Sequence, residues 1–199
     1  MLKSTKIKKI ISITLAAIMM LSIGCLSTSA EELKDTASRG YQLIDGDVYD
    51  LDGNLLIKLY NGVTADGYAL DPNFTVYDAE DLDDCDGITT LAASDIYDGT
   101  KYLYKNTDGN QGVQLGSNFT LTSSKSNVYL GYDSGEPSGV NFAVLNVTRD
   151  TVIQWISNIK AEKSKSISVY NSSRPDDTYS VKASAVDVSG NATLQVGKE

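Results

Sequence analysis

Asp78 to Gly87 reads DAEDLDDCDG and sets six carboxylates within ten residues. Carboxylates at that density are the oxygen donors a hard cation such as Ca2+ takes. A helix-flanked calcium loop needs oxygen ligands at positions 1, 3 and 5, glycine at 6 and a bidentate glutamate at 12. With Gly87 at 6, Asp84 and Asp86 fit, but Leu82 stands at 1 and Ala93 at 12. Starting from Asp81 places Cys85 at 5, Asp86 at 6 and Ala92 at 12. VYDLDG and YKNTDG fail in the same way, with Val48 and Tyr104 at the first position. Two readings remain: a weak Ca2+ site built from Asp81, Asp83, Asp84 and Asp86, whose mutual repulsion a divalent ion would relieve, and a solvated acidic connector. We favour the connector, and no other cofactor is implied.

Other chemistries are removed by composition. The chain has no histidine, so histidine general bases, Ser-His-Asp triads and histidine metal sites are absent. Zinc sites of the thiolate kind need more cysteine than the two present, Cys25 and Cys85. Cys85 lies among carboxylates, which disfavour its thiolate, so it is read as inert. An enzyme would have to work with a carboxylate pair, as in glycoside hydrolysis. Most acids here sit on Asp-Gly turns, which already account for them. Tyrosine is the conspicuous aromatic, with twelve against three phenylalanines and one tryptophan. Exposed tyrosines stack on sugar rings or line protein contacts. Tyr97, Tyr102, Tyr104, Tyr129 and Tyr132 are the candidate ligand-binding residues, to be weighed against ordinary cross-strand packing.

The first thirty residues direct the chain outward. Lys3, Lys6, Lys8 and Lys9 precede an apolar run from Ile10 to Ile23, which is short of the roughly 20 residues that span a bilayer. Thr28-Ser29-Ala30 places small residues before Glu31, as a signal-peptide cleavage site requires. The protein is therefore expected to be secreted, with no transmembrane span after cleavage. LSIGC offers an alternative, lipidation of Cys25 and anchoring at the cell surface; Gly24 fits that motif and Ser22 fits it poorly.

Charge divides the remainder. Residues 31–100 hold 17 acids and 3 bases, and residues 101–199 hold 9 acids and 10 bases. The acidic block repels nucleic acid and anionic membrane, so neither is expected as a partner. The organisation expected is a signal peptide over 1–30, an acidic turn-rich leader with short hairpins over 31–93, and a β-domain over 94–199.

Six Asp-Gly pairs and one Asn-Gly pair mark tight turns. In YQLIDGDVYDLDGNLLIKLYNG they separate short strands that would turn Val48, Leu55, Ile57 and Leu59 inward. Further on, NFTLTSS, NVYLGY, SISVYN, YSVKASAV and NATLQV alternate with period two. VNFAVLNVT is apolar on both sides, Val140, Phe142 and Val144 against Ala143 and Leu145, and so is a candidate central strand. TVIQWISNIKAEKSK admits a helix or a strand; its β-branched content favours a strand with Ile153 and Trp155 on one face. The fold expected is all-β, an antiparallel β-sandwich of Ig-like or jelly-roll-like type.

In general organisation the chain resembles small exported proteins of Gram-positive bacteria. No motif in the resemblance transfers functional residues. The expected function is a non-enzymatic extracellular binding module for a glycan, cell-wall polymer or protein. The alternatives are a small carboxylate-dependent hydrolase and a structural or accessory surface protein.

Overall fold

Alternation and turn chemistry build the molecule strand by strand. The computed structural model describes residues 36–78, 96–122, 127–168 and 176–198. The chain divides into two compact units, Met1–Ser38 and Arg39–Glu199, and the second holds every described strand. Residues 1–30, with Cys25, lie outside the described residues. So does the acidic stretch with Asp81, Asp83, Asp84 and Asp86.

β1 (Gln42–Ile44), β2 (Asp47–Tyr49) and β3 (Leu55–Ile57) form a small antiparallel sheet. The β1–β2 turn places Asp45 and Gly46 at φ of 52° and 89°. Two successive positive values define the hairpin turn whose twist matches the strands, and Asp-Gly enters it at low cost. A register shift between Val48 and Tyr49 alters the expected facing of β3. Leu56 and Ile57 are buried, while Leu55 and Leu59 are only half-buried.

β4 (Ala69–Asp78) pairs in parallel with β9 (Thr151–Ile159), a departure from the wholly antiparallel pairing expected. β4 lies at a sheet edge, where Pro72 removes no ladder bond that the sheet needs.

The remaining strands are β5 (Tyr97–Leu103), β6 (Val113–Thr120), β7 (Asn127–Gly135), β8 (Val140–Asn146), β10 (Lys163–Ser168), β11 (Thr178–Ala185) and β12 (Gly190–Lys198). Their pairing is nested: β8 with β9, β7 with β10, β6 with β11 and β5 with β12, all antiparallel. Two further antiparallel pairs, β7 with β12 and β8 with β11, complete the sheets. One sheet runs β10-β7-β12-β5 and the other β4-β9-β8-β11-β6.

Two apolar cores result. The first joins the two large sheets through side chains that include Leu103, Leu130, Tyr132, Phe142, Val181 and Leu194. The second lies on the opposite face of the five-stranded sheet, where Leu145, Val152 and Trp155 pack with Phe74 of β4 and with Val48 and Ile57 of the small sheet. Across β8 and β9 the five-stranded sheet is thus apolar on both faces, and all seven residues of β8 are buried. That is the central strand expected from VNFAVLN.

Residues 151–159 are a strand. Ile153 and Trp155 nonetheless belong to different cores. The pairing skips Ile153, with Leu145 opposite Val152 and Val144 opposite Gln154. One bulged residue reverses the facing of the residues after it, so Trp155 joins Val152.

Candidate functional site

The loop joining β5 to β6, YKNTDGNQG over Tyr104 to Gly112, carries turn-forming and polar residues between two regular strands. It is pinned from two directions. Asn106 N–H donates to Ala185 O at 3.0 Å, and Ala185 N–H donates to Tyr104 O at 2.9 Å. Lys105 N–H donates to Ser189 Oγ at 2.8 Å. Toward the small sheet, Asn106 Nδ2 donates to Leu56 O at 2.9 Å, and Lys58 N–H donates to Gly109 O at 3.0 Å. Gly109 and Gly112 have φ of 66° and 92°. A β-carbon at Gly109 would meet the Lys58 backbone, and one at Gly112 the Ala183 carbonyl. Glycine is required at both positions by conformation and by close approach.

A cavity opens on each side of this loop, and Asp108 and Asn110 border both. The larger, 620 Å3, is bounded also by Tyr104, Lys105, Ser184 and Ser189. The smaller, 230 Å3, is bounded by Lys58, Tyr60, Asp66 and Gln111. Tyr104 and Tyr60 are 63% and 51% exposed. Tyr102 stands edge-on to Tyr104, with ring centroids 5.3 Å apart.

Two buried polar side chains reach these cavities without a hydrogen-bond partner in the protein. Gln111 is 2% exposed and has both amide atoms unpaired; Ser184 is 1% exposed with its hydroxyl unpaired. Burying an amide unpaired costs on the order of 1–3 kcal/mol. Such groups point to a ligand or solvent that completes them.

The charges here are compensated. Lys182 Nζ bonds Asp66 Oδ2 at 2.5 Å and lies 5.5 Å from the Tyr68 ring centroid. Lys58 Nζ lies 5.7 Å from the Tyr60 ring centroid. Burial, then the charges of Asp150 and Asp66, push the Tyr68 hydroxyl above its ordinary pKa, so it stays protonated at neutral pH.

The five tyrosines singled out from sequence fall in different places. Tyr102 and Tyr104 are exposed and adjacent at the groove. Tyr97 is half-buried and packs against the first core. Its pKa is raised by burial and by Asp98. Tyr129 and Tyr132 are 6% and 0% exposed, which corrects their assignment as ligand platforms. Tyr132 follows the inward alternation of Val128 and Leu130, and its hydroxyl donates to Pro137 O at 2.5 Å. Its pKa is raised by burial and by Asp187.

Sequence reasoning missed Tyr60, Gln111 and Ser184. The Asp-Gly pair at 108–109 and the absence of alternation across YKNTDGNQG were the signal that a loop lay here. Nothing local shows that this loop meets β3 and the β11–β12 turn. Among the described residues, no group of three or more His, Cys, Asp or Glu side chains is placed to share a metal ion. No described helix is long and apolar enough to cross a membrane. No family model matches the chain, and neither a curated protein nor a solved structure matches it.

Proposed function

We propose that this is an exported, non-enzymatic binding module that takes an extracellular glycan, cell-wall polymer or protein in the groove around Tyr104 to Gly112. The observation that carries this reading is Gln111, whose buried and unpartnered amide borders a cavity beside the exposed Tyr60. A convergent polar group beside an aromatic rim is the usual equipment of a ligand site. The lysine-rich, arginine-free stretch over 1–30, with small residues before Glu31, supports secretion from a Gram-positive bacterium. Attachment at the cell surface through Cys25 is the alternative address.

The sandwich is of the jelly-roll type in this reading. Its support is the nesting of β5 to β8 against β9 to β12, which rolls one long antiparallel ribbon into two four-stranded layers. β4 extends one layer by a parallel edge strand. Lectin domains are among the proteins built on jelly rolls, an analogy of fold alone.

The test is retention of the chain on immobilised cell-wall and plant polysaccharides, with Ca2+ and with chelator. Retention abolished by Tyr60→Ala with Tyr104→Ala supports the groove. Retention indifferent to both substitutions places the binding face elsewhere. Loss in chelator would make the acidic stretch at Asp81 to Asp86 a Ca2+ site.

One observation favours a second reading, the carboxylate-dependent hydrolase: Asp66 and Asp108 border the same cavity. Lys182 Nζ holds Asp66 Oδ2 at 2.5 Å, which leaves Asp108 as the carboxylate to test. Release of reducing ends from a bound polysaccharide, abolished by Asp108→Asn, would establish that reading.

A further inference from the structure

We infer that the groove binds a neutral, linear oligosaccharide of at least two sugar units, one seated on each side of the loop from Tyr104 to Gly112. The inference rests on the groove being the binding site and adds the class of ligand and its minimum length.

The same equipment occurs twice. The larger cavity has Tyr104 at its rim and the unpaired Ser184 hydroxyl within. The smaller has Tyr60 at its rim and the unpaired Gln111 amide within. Asp108 and Asn110 stand between them and border both. An aromatic face with a hydroxyl or amide beside it matches one pyranose ring, which presents apolar C–H groups on one face and hydroxyls around its edge. Two such sets on either side of one loop match two rings of one chain.

The charges argue for a neutral ligand. Each cavity carries both signs, Lys105 with Asp108 in one and Lys58 with Asp66 and Asp108 in the other. Neither sign is left in clear excess to recognise an acidic or basic polymer.

The backbone argues against an extended peptide. Recognition by strand addition needs a row of free N–H and C=O groups. Along this loop the N–H groups of Lys105, Asn106, Thr107 and Gly112 are already donated within the protein, and the carbonyls of Tyr104 and Gly109 already accept. The cavities themselves are bordered by side-chain hydroxyl, amide and carboxylate groups, the partners of sugar hydroxyls. The pinned loop also needs no ordering on binding, which removes one entropic cost.

The experiment is calorimetry of the full chain against neutral oligosaccharides of one to six units, in glucose, N-acetylglucosamine, mannose and xylose series. An unstructured peptide of mixed composition serves as comparison. The expected result is that one series binds, with affinity rising about tenfold or more from one unit to two or three and then levelling. Tyr60→Ala and Tyr104→Ala should each weaken the longer oligomers about tenfold and flatten the dependence on length. Trp155 fluorescence verifies that each variant is folded. A monosaccharide that binds as tightly as a trimer overturns the two-unit inference; if Tyr104→Ala still weakens it, the groove stands. Oligosaccharide binding untouched by either substitution overturns both. Absence of binding across all four series, or binding of the peptide alone, overturns the glycan assignment.

Discussion

At Gly112 a single hydrogen in place of a methyl group lets β6 begin against β11. An L-residue there meets two obstacles, a φ of 92° and the carbonyl of Ala183. Gly46 has a similar φ of 89°, yet open space lies around its β-carbon position. The comparison separates the two costs. Gly46→Ala should destabilise the protein by about 1 kcal/mol, and Gly112→Ala by about 3 kcal/mol, with loss of binding in the groove. Urea titration followed by Trp155 fluorescence measures both. Comparable losses at the two positions would show that the close approach to Ala183 is not what requires glycine.

Two carboxylates illustrate further what single residues hold. Asp177 Oδ2 accepts from Asn146 Nδ2 and from Arg149 Nε, both at 2.7 Å, and Asn146 is fully buried. Asp177→Ala leaves that amide and guanidinium short of an acceptor and should cost about 1–3 kcal/mol. A melt unchanged from the parent would mean that water replaces the carboxylate without penalty. Asp187 Oδ1 accepts from the N–H groups of Ser138 at 3.0 Å and Val188 at 2.8 Å. The bond from Ser138, foremost, holds its pKa below the ordinary carboxylate value. The folded state therefore favours the ionised form. Its stabilising share is complete above the ordinary pKa and is lost as pH falls through the lowered one. NMR titration should place the Asp187 midpoint below that of a free aspartate, and Asp187→Asn should reduce the acid-side loss of stability. A midpoint at the ordinary value would contradict the Ser138 contact.

At the scale of elements, β8 connects the two cores. Phe142 faces the first core and Leu145 the second, and both are fully buried. Phe142→Ala should cost about 3–5 kcal/mol and Leu145→Ala about 2–5 kcal/mol. Because one strand carries both, either substitution should lower the same unfolding transition. Two separate transitions, each sensitive to only one substitution, would show that the cores fold independently. The alternation of VNFAVLN announced this strand because apolar residues on both sides can be satisfied only between two layers. The small sheet was less legible. A register shift beside Val48 buries Leu56 where alternation pointed to Leu55, and the bulge at Ile153 turns Trp155 to the second core. A bulge adds one residue without a compositional mark, so the period-two pattern cannot show it.

For the whole molecule, Arg39–Glu199 is one compact unit although its charge changes sharply along the chain. β4 supplies an edge strand to the five-stranded sheet, and Tyr41, Val48, Leu56 and Ile57 cover the face that carries Trp155. A fragment limited to 94–199 would uncover Leu145, Val152 and Trp155. It should self-associate, with Trp155 emission shifted to the red of the full chain's. A monomeric fragment with unshifted emission would show that the second core needs no cover from residues 41–76.

Composition and pattern by themselves determined the β class, the central strand, the turn at Asp45-Gly46 and the absence of histidine chemistry. These features obey local rules, since side-chain period and turn conformation are decided within a few residues. They also marked Tyr102 and Tyr104 as candidates, without distinguishing them from Tyr129 and Tyr132. Only the tertiary structure decided which tyrosines reach solvent, because that depends on which sheet lies beneath each strand. It alone brought Tyr60 of one sequence region to the same loop as Tyr104 and Ser184 of two others. The groove exists because residues 104–109 donate to the carbonyls of Leu56 and Ala185 and accept from the N–H groups of Lys58 and Ala185. Partners separated by about fifty to eighty residues leave no trace in the local pattern of the chain, since each satisfies its own strand or turn first.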